Sequence, residues 1–182
     1  MRAWLLLALA LFGAALRADP TGFRIVSMHP YLQDGTWYLD ADIHYGFSEA
    51  ALEALDNGVP LTLTLRVRLH RKGAWIWEAD PVDLTREYLI RFLPLSSQYL
   101  VRALPEGEVH QFVTREAAID ALGEVRRLRL TPAARLDPAA SYVVRIKAFL
   151  DIEALPLPLR PLAYLKPSWK LSTGWREWPL RP

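Results

Sequence analysis

The stretch LTLTLRVRLH, residues 61–70, decides the fold. Leucine or valine stands at every second position (Leu61, Leu63, Leu65, Val67, Leu69), and Thr62, Thr64, Arg66, Arg68 and His70 fill the places between. A strand sends successive side chains to opposite faces, so this spelling makes one apolar and one polar face. A helix would scatter the same leucines around its axis. The polar row is expected to face water, as one side of an antiparallel sheet commonly does.

The same period recurs on either side. In TWYLDADIHY, residues 36–45, Trp37, Leu39, Ala41, Ile43 and Tyr45 share one face, and Thr36, Tyr38, Asp40, Asp42 and His44 the other. FRIVSMH (23–29) reads as a first strand ending at Pro30, and Lys72-Gly73 turns the chain into AWIWEAD (74–80), the expected hairpin partner of 61–70. Further strands are predicted over 82–93, with Tyr88, Ile90 and Phe92 inward, and over 98–104, 108–113 and 142–153. In the last of these Tyr142, Val144, Ile146, Ala148, Leu150 and Ile152 face the core. Two short helices interrupt the series: Ser48 caps EAALEALDN, stopped by Asn57-Gly58, and Thr114 begins REAAIDALGEV with an apolar stripe of Ala118, Ile119 and Leu122. Short strands punctuated by turns predict an all-β antiparallel sandwich, immunoglobulin-like in general architecture, as one domain over 19–182.

The tail, 154–182, changes character. Pro156, Pro158, Pro161 and Pro167 interrupt a Leu-rich run, and Trp169, Trp175 and Trp178 follow. Proline at that density predicts an extended segment, neither helix nor central strand. Leu157, Leu159, Leu162 and Tyr164 are expected to dock on the sheet, leaving Trp169, Trp175 and Trp178 as candidate partner-binding anchors.

Composition sets the compartment and excludes several function classes. Residues 1–18 carry Arg2, then the apolar run AWLLLALALFGAAL of residues 3–16, then small residues, the pattern of a secretory signal peptide cleaved after Ala15 or Ala18. The run falls short of the ~20 residues of a spanning helix, which leaves an uncleaved inner-membrane anchor as the alternative and the periplasm as the expected location. Without residues 1–18, and so without Arg2 and Arg17, the balance is 20 basic against 20 acidic residues. A neutral domain lacks the basic excess that nucleic-acid binding requires. The absence of cysteine removes disulfides, thiolate metal sites and thiol nucleophiles.

No residue pattern points to catalysis, a cofactor or a metal. There is no G-x-S-x-G elbow and no glycine-rich phosphate loop, and His29, His44, His70 and His110 lie on different strands. Asp40, Asp42 and His44 on one strand face are the best metal or acid–base candidates, against the plainer reading of a wetted sheet face. Arg66, Arg68 and His70 form a basic row that is expected to pair with that acidic row, and Arg126, Arg127 and Arg129 follow the second helix as a solvated charge cluster. A non-catalytic module binding another envelope protein is therefore expected. An exported enzyme using the acidic face and a structural accessory at the inner membrane are the alternatives.

DIEALPLPLRPLAYL (151–165), followed by SWKLSTGWREWPL (168–180), resembles the end of domain-of-unknown-function family 4390, and LDADIHYGFSEAALEALDNGVPLTLTLRV (39–67) resembles its first half. The resemblance implies a short exported protein of Gram-negative proteobacteria and a cell-envelope setting. It brings no activity and no site residues. It further suggests a membrane sensor kinase as a partner, through genetic association alone.

Overall fold

Alternation becomes burial in a computed structural model of the chain, which describes residues 22–75, 79–105 and 107–180. Leu61, Leu63, Leu65, Val67 and Leu69 lie buried on one face of β3 (Leu61–Arg71). This strand pairs antiparallel with β4 (Val82–Leu93) on one side and β8 (Tyr142–Leu150) on the other. With β5 (Gln98–Leu104), β6 (Val109–Phe112) and β9 (Arg176–Leu180) they form a six-stranded sheet in the order β6-β5-β4-β3-β8-β9. A second sheet, β1-β2-β7, comprises β1 (Gly22–Gln33), β2 (Thr36–Gly46) and β7 (Glu124–Pro132). Trp37, Leu39, Ala41, Ile43 and Tyr45 of β2 join the β3 and β8 rows in one core, which makes the fold an all-β sandwich.

Helix α1 (Glu49–Asp56) begins where the Ser48 hydroxyl accepts the Ala51 N–H, and α2 (Arg115–Gly123) where the Thr114 hydroxyl accepts that of Ala117. Helix α2 ends hard against β2. A Cβ on Gly123 would run into the Ile43 carbonyl oxygen, so only glycine lets the chain turn there directly into β7. The predicted helix to Val125 stops at Gly123, and the arginines that follow it stand on a strand, β7, which the sequence does not announce.

Other expectations are corrected. β1 continues through Pro30 to Gln33, which an edge strand permits because its outer N–H positions need no partner. Both edges of β3 are occupied, so its hairpin partner is β4 and not AWIWEAD, of which residues 76–78 lie outside the described residues. The acidic row of β2 and the basic row of β3 belong to different sheets and do not pair.

Thr62 and Thr64, expected in water, are buried. The tail returns over that end of β3: residues 152–154 pack against it, and the Asp151 N–H donates to the Thr62 carbonyl at 2.8 Å. Nor is the tail wholly extended. Pro161 sits in the first turn of a third helix, α3 (Arg160–Leu165), where a missing N–H loses no hydrogen bond. Beyond it, residues 171–173 run along β8, with Leu150 N–H donating to the Leu171 carbonyl and Thr173 N–H to that of Ala148.

These connections give the sandwich two distinct poles. At the N-terminal pole lie Gly22, α1, the end of β8 and α3. The far pole gathers the β1–β2 turn, the end of β3, the start of β8 and the end of β9.

Candidate functional site

Three anchors were expected in the tail, and the structure separates them. Trp169, in a 3-10 turn at Pro167–Trp169, is 3 % exposed and belongs to the core, so it offers nothing for a partner to touch. Trp175 is half-buried between two cations, with Arg68 Cζ and Arg145 Cζ each 5.3 Å from its ring centroid. Those arginines are themselves held, Arg68 by Asp83 at 3.0 Å and Arg145 by Glu177 at 3.0 Å. This assembly ties β9 to the outer face of β3 and β8.

Trp178 alone of the three presents a large surface. It lies opposite Val144 on the edge strand β9 and is 48 % exposed. Two residues on, Leu180 lines a cavity of about 210 Å³ at the far pole, with Leu32, Trp37, Ala133, Leu136, Ala140 and Tyr142 among its walls. The backbone around it is rigidly tied: the Asp137 N–H donates to the Tyr142 hydroxyl at 3.1 Å and the Ala133 N–H to the Gly35 carbonyl at 2.8 Å. Leu32, and Trp75 at 68 % exposure beyond the end of β3, place further apolar surface at this pole. No sequence signal assembled this site, because its walls come from five separate segments.

The acidic face of β2 has a different use. Strand β7 holds an extra residue opposite Leu39 and Ala41, and Arg127 takes a φ of +50° there. The amide displaced by this bulge donates to Asp40 Oδ1 at 2.7 Å. Asp42 accepts from Ser27 Oγ and from Arg126 Nη2, both at 2.6 Å, and these bonds hold its carboxyl below the usual carboxylate range. The two carboxylates thus pin β1 and β7 to β2. In β3, His70 Nδ1 lies 2.9 Å from Asp80, which supplies the local acid its row was expected to find in β2. Among the described residues no group of three or more His, Asp and Glu side chains is placed to hold a metal ion.

Fold and site together define a small all-β sandwich domain with an apolar cavity at one pole. The chain belongs to the family described as Domain of unknown function (DUF4390), which it matches over residues 21–179. No curated protein and no solved structure matches it.

Proposed function

We propose that this domain is a non-catalytic module of the cell envelope, exported to the periplasm, that binds another envelope protein through its far pole. The observation carrying this reading is Trp178, half-exposed beside the cavity that Leu180 helps to line. At about 210 Å³ the cavity is smaller than the ~300–1,000 Å³ of typical small-molecule sites and suits a single apolar side chain of a partner. Aromatic anchors beside such pockets supply most of the binding energy at protein interfaces. Export is supported by Arg2, the apolar run of residues 3–16 and the alanines that end it, all outside the described residues. The non-catalytic reading is supported by the engagement of Asp40 and Asp42 with β7. A membrane sensor kinase, suggested by the resemblance, is the first partner to test.

A photo-crosslinking residue at position 178 should trap one discrete envelope protein in intact cells. Ala140→Phe, which fills the cavity, should abolish that product while leaving the melting temperature within about 2 °C, as expected for a change of under ~0.5 kcal/mol. A product that survives Ala140→Phe, or no product at all, refutes the reading.

A further inference from the structure

The leucines of the Pro-rich segment were expected to dock on the sheet, and the structure turns most of them outward. Leu157 is 72 % and Leu165 82 % exposed, with Leu162 and Tyr164 nearly half exposed between them. Single exposed leucines need no explanation, whereas four large apolar side chains within nine residues of chain make a patch. The segment beneath is firmly seated. Leu155, Ala163 and Trp169 are buried, Arg160 Nε donates to the Leu155 carbonyl at 2.7 Å, and the Tyr164 hydroxyl donates to Glu153 at 3.1 Å. Residues 157–170 include Arg160, Lys166 and Lys170 and no acidic residue, and both lysines are exposed, while Glu153 meets the patch at Tyr164 and α1 brings Glu49 and Glu53 to the same pole.

The location of this patch names its occupant. Gly22 pairs with Gly46, two residues before the Ser48 that caps α1; α1 packs on Pro167–Trp169, and that turn packs on α3. The chain therefore enters the fold at the pole that carries the exposed leucines. In sequence, the apolar run ends at Leu16, six residues before Gly22, a stretch that spans at most about 20 Å when fully extended. A bilayer holding that run, in transit or as an anchor, lies within reach of the patch.

We propose that the N-terminal pole docks on an anionic lipid surface, with Leu157, Leu162, Tyr164 and Leu165 in the interfacial layer and Lys166 and Lys170 against lipid phosphates. Leucine and tyrosine beside exposed lysines are side chains that bind bilayer interfaces, where apolar insertion and the attraction of lysine to anionic headgroups add. Lysine is depleted at protein interfaces, which disfavours a protein occupant here. This site is at the opposite end from Trp178, so it stands or falls independently of the far-pole reading.

The chain has no cysteine, so Leu165→Cys gives one attachment point for an environment-sensitive fluorophore, and Gln33→Cys gives a control at the far pole. The protein is used as recovered from the cells that make it, with whatever N-terminus it then has. With phosphatidylethanolamine vesicles containing phosphatidylglycerol, the label at position 165 should shift to the blue and be quenched by brominated lipid tails. The label at position 33 should not respond. Leu157→Asp with Lys166→Glu and Lys170→Glu should reduce the response at least about tenfold, and raised salt should weaken it. No response at position 165, an equal response at both positions, or a response that needs added envelope protein instead of lipid overturns the proposal.

Discussion

Replacing Thr64 by valine should stabilise the protein. In the sequence this threonine belongs to a polar row expected in water, where substitutions change stability by less than about 0.5 kcal/mol. In the structure it is 4 % exposed, lies opposite Phe149 and Glu87 on the outer face of the central strand, and its hydroxyl has no hydrogen-bond partner. A buried hydroxyl without a partner carries a desolvation penalty of about 1–3 kcal/mol. Valine keeps the branched shape, replaces the hydroxyl with a methyl and has high strand propensity. The gain should be about 1 kcal/mol, or roughly 2–4 °C in melting temperature for a domain of this size. Urea denaturation followed by tryptophan fluorescence measures it as a higher midpoint at unchanged slope. Leu65→Ala, on the opposite face of the same strand and 1 % exposed, provides the scale, with an expected loss of about 2–5 kcal/mol. If Thr64→Val destabilises by 1 kcal/mol or more, the hydroxyl has a partner and the account of this face fails. A change near zero would return Thr64 to water.

Other outcomes follow from the same contacts. Leu155→Ala should cost about 2–5 kcal/mol, whereas Leu157→Ala, two residues away, should stay within about 0.5 kcal/mol; denaturation curves of equal midpoint would contradict the tail's arrangement. Gly123→Ala should lower the melting temperature by several degrees, since the added methyl meets the Ile43 backbone, and a neutral result would place that helix end elsewhere. Asp42 titrates below its unfolded value, so its contribution is present above about pH 4 and is lost as pH falls through the lowered folded value. Asp42→Asn should therefore lower stability at neutral pH and flatten the acid limb of a pH–stability profile; a limb of unchanged steepness would show that Asp42 does not contribute to it. Trp178→Ala should leave the melting temperature within about 2 °C of the parent, and a large drop would show that the indole is packing rather than anchoring.

Much of the fold could be read along the chain, because a period of two is a local property. The leucines of β3 and the inward row of β2 state which side of each strand is dry, and Ser48 and Thr114 state where helices begin. What neighbours a strand is not local. The acidic and basic rows have complementary charge, yet they fall in different sheets, and Asp40 and Asp42 meet the arginines of β7 only because α2 stops at Gly123. The tail shows the same limit most plainly. Leu157 and Trp169 are both apolar, and composition alone gives no reason for one to lie in water and the other in the core. That choice depends on where the chain returns after β8, and it put Trp169 inside, left Trp178 two residues from the Leu180 that lines the far-pole cavity and tied Asp151 to Thr62. Which strand faces are apolar is legible along the chain, since side-chain period is written residue by residue. Which of those faces, and which parts of the tail, remain open to a partner is settled by the folded arrangement alone, because exposure depends on what distant segments cover.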